Sequence, residues 1–188
     1  MTKTELYNEA LLMIGSKPID AANGLASDKG QACEALFMGV VEEVQSLIPW
    51  AELVKTTLLS PTGIEDVRGV QYNKPKDCLR VLNVNNGRRN DGFEEEGGFI
   101  YYKAGTLTAN LPCRYVRRSL IPDEWSTEQK AAVRKLLAAR IMPLITKNMN
   151  AANSLEEQFW NVDRPRLTAR HLNRTGGRRK LFDDDNFC

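Results

Sequence analysis

The apolar pattern of this chain changes period twice, and those changes divide it. Residues 4–14 place Leu6, Ala10, Met13 and Ile14 on one face at helical spacing. Gly15 stands where a helix takes a left-handed cap, and Pro18 prevents its resumption. A loop over 19–28 ends in an N-cap at Ser27 or Asp28. From there Ala32, Ala35, Leu36, Val40, Val44 and Leu47 predict a second helical stripe, closed by Pro49, with Trp50 plugging the helix end. The two helices read as an αα-hairpin.

The middle turns to short runs rich in β-branched and aromatic residues: Val70–Tyr72, Cys78–Val84, Phe99–Tyr102 and Cys113–Val116. Turn signals separate them, among them Asn73-Lys74-Pro75, Asn85-Asn86-Gly87, Gly97-Gly98 and Asn110-Leu111-Pro112. A small, mostly antiparallel sheet over roughly residues 56–119 is the expectation. Helix returns at the capping box Ser126-Thr127-Glu128-Gln129. Val133, Leu136, Leu137, Ile141, Leu144 and Ile145 supply its buried face, and Pro143 is expected to kink it or end its regular bonding one turn earlier. A last helix carries Leu155, Phe159 and Val162, with Pro165 as its stop.

The predicted fold class is α+β. A helical bundle forms from two αα-hairpins (residues 1–55 and 126–163), with a small antiparallel β lobe inserted at 56–125. Residues 164–188 have too few core-type residues to fold alone and read as an extended, basic C-terminal arm ordered by a partner.

Charge sharpens this picture. The net charge of +2 hides a gradient. Residues 1–66 carry four Lys against ten Asp or Glu, a net of −6, while 163–188 carry seven Lys or Arg against four acids, a net of +3. An acidic front and a basic back suit packing between copies, and also contact with nucleic acid. No apolar run approaches the ~20 residues that span a bilayer, and the start lacks the build of a signal peptide, so a cytoplasmic protein is expected.

Candidate chemistry is sparse. The four cysteines (33, 78, 113 and 188) are scattered, and His171 is the only histidine, so free thiols and no zinc site are expected. His171 has no nearby nucleophile. Glu94-Glu95-Glu96 reads as a solvated turn before it reads as a cation site. In Asp77-Cys78 the two side chains point to opposite faces of a strand, so Cys78 is expected to be buried, not reactive. The chain is not expected to be an enzyme or to hold a cofactor.

Several stretches stand in a distinctive order: Leu6-x-Asn8-x-Ala10-Leu11-x-x-Ile14-Gly15, Pro18-Ile19, Cys33 and the helix leading to Pro49-Trp50-Ala51, and Tyr72-x-x-Pro75-x-Asp77-Cys78-Leu79-Arg80-Val81. Glu96-Gly97, the Trp125 stretch, the Leu136–Leu144 helix and Leu155-x-x-x-Phe159 complete the series, which covers residues 4–163. Taken together they resemble the tail tubular protein A family, the head-to-tail adaptors of short-tailed bacteriophages. Pro165 and the Arg-rich end depart from the family pattern.

The resemblance implies a structural connector without a cofactor. Copies would form a homo-oligomeric ring, a dodecamer, between the portal protein and a tail nozzle protein. The ring would sit at the head–tail junction of the virion and be assembled in the host cytoplasm, away from membranes. Packaged double-stranded DNA would be retained by it and pass through its lumen on ejection. The candidate partner-binding residues, toward the portal or a neighbouring subunit, are Arg170, Arg174, Arg178, Arg179, Lys180, Phe182 and Phe187. The arginines suit an acidic groove on such a partner, and the phenylalanines would anchor the docked segment. The alternative is a nucleic-acid-binding packaging or regulatory protein that uses the same tail on phosphates.

Overall fold

The computed structural model describes residues 1–20, 24–85, 92–103 and 107–174, the last three of these as backbone only. Helix α1 (Lys3–Met13) opens on a capping box. The Thr2 hydroxyl accepts from the Glu5 N–H (3.2 Å), and the Glu5 carboxylate accepts from the Thr2 N–H (2.7 Å). At its end Gly15, at φ +71°, donates to the Leu12 carbonyl, and Ser16 donates to Leu11, the pair of bonds that closes a Schellman cap. The buried face is Leu6, Tyr7, Ala10 and Leu11, so Met13 points outward, contrary to expectation.

Helix α2 (Asp28–Leu47) starts at Ser27, whose side chain accepts from Gly30 N–H. Its buried stripe runs through Cys33, Phe37, Val40, Val41 and Val44, whereas Ala35 is exposed. Gly30 is needed there for space: a Cβ would stand 2.2 Å from the Gly24 carbonyl oxygen. Trp50 is fully buried past the helix end, with its indole N–H donating to the Val44 carbonyl (3.0 Å).

Seven strands follow: β1 (Val54–Leu59), β2 (Pro61–Asp66), β3 (Gly69–Asn73), β4 (Cys78–Val84), β5 (Phe93–Glu96), β6 (Phe99–Tyr102) and β7 (Leu111–Arg117). They make two antiparallel sheets, one of three strands in the order β1-β7-β4 and one of four in the order β2-β3-β6-β5. Their shared core takes Leu59, Val81, Leu111 and Tyr115 from the first sheet and Val70, Tyr72 and Ile100 from the second. Strand β7 turns Leu111, Cys113 and Tyr115 toward that core, while Val116 belongs to the helical core. One sheet is therefore a layer shared by both cores.

Helix α3 (Thr127–Thr146), capped by Ser126, is central: α1, α2 and α4 (Met149–Gln158) all pack on it. It runs through Pro143 to Thr146, so no break occurs one turn earlier. After α4 the chain makes a π turn at Phe159–Asp163 and continues as α5 (Arg164–Arg174).

This architecture corrects the expected one. The α+β class stands, with 52% helix and 25% strand, but the molecule is not a helical bundle with a small inserted lobe. Strands β1, β2 and β5 went unread because they carry Thr, Glu and Asp at exposed positions instead of a clean alternation. The expected extended arm is helical from 164 to 174, and Pro165 does not stop the helix. A proline ring ordinarily clashes with the carbonyl four residues back; here that residue, Asn161, lies in the widened π turn, where the Arg164 N–H reaches Phe159. Residues 175–188 lie outside the described residues.

Candidate functional site

Two surfaces stand out, one on each side of the molecule's composition. The first is the tip of the β2–β3 hairpin. Strand β2 is an edge strand, and four of its six residues are exposed. Val67 in the turn is 95% exposed and Ile64 54%. The turn is nevertheless held firmly. The Arg68 N–H donates to Asp66 Oδ1 (2.8 Å), and its guanidinium grips the same carboxylate (2.6 Å), pairs with Glu96, and lies 3.7 Å from the centre of the Tyr101 ring. Hydrogen bonds from Arg68 hold the Asp66 carboxyl below its usual range. An apolar side chain is thus presented on a stiff support, which lowers the ordering cost of any contact it makes.

The second surface is a groove of about 340 Å³ between the first half of α3 and the α4–α5 helix. Its floor includes Ala132, Phe159 and Leu167, and Lys135, Arg166 and Arg170 stand along it. Ion pairs brace its walls: Lys135 with Asp163 (2.5 Å), Arg134 with Glu9 (2.5 Å) and Arg170 with Glu128 (3.3 Å).

Those pairs belong to a wider belt. Glu43 meets Arg140 (2.5 Å), which also reaches Glu156 (3.3 Å), and Glu42 meets Arg118 (2.8 Å). Much of the acidic front is therefore matched by cations from later in the same chain, a use of the charge gradient that sequence order alone does not reveal. Glu52 ties the end of α2 to the cap of α3 by accepting from the Ser126 N–H (2.8 Å). Burial works to raise its carboxyl, but the bonds from Ser126 leave it below the usual range.

Of the candidate partner-binding residues, Arg170 is exposed on α5 beside Glu128, and Arg174 is the last helical residue. Arg178, Arg179, Lys180, Phe182 and Phe187 lie outside the described residues. His171 is 3% exposed, packed edge-on to Trp50 at 4.6 Å between centroids, with Nε2 3.7 Å from Glu128. It anchors α5 to the core, a role for which the sequence carries no local signal.

The acid run also resolves into separate contacts. Glu95 pairs with Lys74 (2.7 Å) and Glu96 with Arg68. Asp77 accepts from the Tyr115 hydroxyl (3.0 Å), while Cys78 is half-buried instead of buried as expected, and desolvation still pushes its thiol up to about 11, which makes it a poor nucleophile. Among the described residues no group of three His, Cys, Asp or Glu could hold a metal ion, and no helix is long and apolar enough to cross a membrane. Comparison with protein-family models and with curated proteins finds no match.

Proposed function

We propose that this chain is a structural subunit of a tailed-bacteriophage head-to-tail connector, a ring between portal and tail nozzle that holds packaged DNA and conducts it on ejection. The observation that carries the reading is the stiff, apolar hairpin tip at Ile64 and Val67, placed on an edge strand where a neighbouring protein can dock. The order of sequence stretches resembling tail tubular protein A gives that contact its context. In a closed ring each copy offers one surface to a different surface of the next, and rotation closes the set.

Light scattering on the purified chain, alone and with the portal protein of its virion, tests the proposal. The expected result is a portal-bound ring that adds to the portal's own mass a whole multiple of the 21.2 kDa subunit. A chain carrying Ile64→Asp and Val67→Asp should stay folded and fail to assemble. A monomer that ignores the portal and instead binds random duplex DNA, with affinity falling steeply in salt, would replace this reading by the nucleic-acid one.

A further inference from the structure

The α3–α5 groove supports an inference that stands apart from the connector reading. Its floor is apolar, formed by Met13, Ala131, Ala132, Phe159 and Leu167. Its rim holds four cations, Arg134, Lys135, Arg166 and Arg170, against the carboxylates of Glu128 and Asp163. Three of those cations are engaged in the ion pairs given above, whereas Arg166 is exposed and has no carboxylate partner among the described residues. The chemistry that fits is an acidic segment flanked by apolar anchors.

The end of this chain has that composition: Leu181-Phe182-Asp183-Asp184-Asp185-Asn186-Phe187. Reach permits it. From Arg174 to Leu181 the chain can extend by about 23 Å, while the helix from Phe159 to Arg170 is about 17 Å long. Folding back requires a reversal, and Gly176-Gly177 lies within the connecting stretch.

We propose that residues 181–187 dock into the α3–α5 groove of their own chain, with Phe182 and Phe187 on the apolar floor and the Asp183–Asp185 run facing Arg166. A linker this short holds the segment at an effective concentration on the order of millimolar. At micromolar protein the chain's own tail therefore outcompetes that of another copy.

The test uses the full chain and its terminal thiol, Cys188. Burial pushes the Cys33 and Cys78 thiols up to about 11 and Cys113 to about 12, which leaves them slow to react at neutral pH. In an Ala131→Cys variant, mild oxidation should join Cys188 to position 131 within one chain. The rate should be at least about tenfold that seen with Leu58→Cys, a distant exposed control on β1, given the local concentration that docking creates. Adding Phe182→Ala and Phe187→Ala, which leave the folded body untouched, should bring the rate down to the control. Equal rates at positions 131 and 58 would overturn the proposal. So would a cross-linked dimer as the main product, which would assign the groove to a second copy.

Discussion

The helical body and the four-stranded sheet differ in how local their contacts are. In the body the decisive contacts join residues far apart in the chain. The buried Gln45 amide both donates to and accepts from the backbone of Ser119 (2.7 and 3.1 Å), Glu52 caps onto Ser126, and Trp50 packs on His171. In the sheet, β2 pairs with β3 and β5 with β6, each its neighbour in sequence, and the β3–β6 pairing joins these two hairpins. Hairpins of that kind can form early, whereas the body closes only when its distant parts meet. Strand β7 joins the two, with Tyr115 in one core and Val116 in the other.

With that link the cores are expected to unfold together, and Trp50→Ala is the sharpest attempt to separate them. Removing this fully buried side chain should cost about 3–5 kcal/mol and still leave a single transition, read in parallel by circular dichroism and by tyrosine fluorescence during urea unfolding. Two separated transitions would break the coupling through β7.

A matched pair of glycines compares the regions directly. Gly30→Ala drives a Cβ to 2.2 Å from a backbone oxygen in the body, and Gly69→Ala drives one to 2.5 Å from Tyr102 backbone atoms in the sheet, at φ +113°. Each should cost about 1–3 kcal/mol by denaturant titration. A neutral Gly30→Ala would mean that the short turn at Gly24–Ala26 can move away from α2.

Smaller still, and of opposite sign, is Gln129→Met. The Gln129 side chain is fully buried, and neither of its polar atoms has a hydrogen-bond partner among the described residues. Replacing it by an apolar side chain of similar length should gain about 1 kcal/mol, seen as a higher melting temperature. A loss would show that the amide holds a contact worth keeping. Last comes Val67→Asp at the hairpin tip, which should leave stability within about 0.5 kcal/mol in the same thermal scan. A larger loss would mean that the tip packs on its own sheet.

The same contrast decides what could be read in advance. Caps at Gly15, Ser27 and Ser126 were legible because each is a local transaction between a side chain or a left-handed residue and the adjacent helix end. So were the four strands with buried β-branched or aromatic residues, β3, β4, β6 and β7. Strand β2 was not, because an edge strand with four exposed residues leaves no alternation to find. On α1 Leu6, Ala10 and Ile14 were placed on the right face, but Tyr7 and Leu11 are buried there and Met13 is exposed, since all of them fit helical spacing. The pairing of Arg134 with Glu9 and of Arg140 with Glu43 could not be read, because the partners lie far apart in sequence. Of the groove, the basic residues were visible singly, but their convergence required α5 to continue past Pro165.

The π turn at Phe159–Asp163 does more than admit that proline: it sets the rotational phase of everything after it. One residue more or less in a helix turns the following face by about 100°. Were the turn tightened to regular α spacing with all its residues kept, His171 would swing off Trp50, Leu167 would leave the core, and the arginines of α5 would face a different quarter. A residue added or removed in the regular helix on either side of the turn, a change harmless in most surface loops, would re-aim a whole helix.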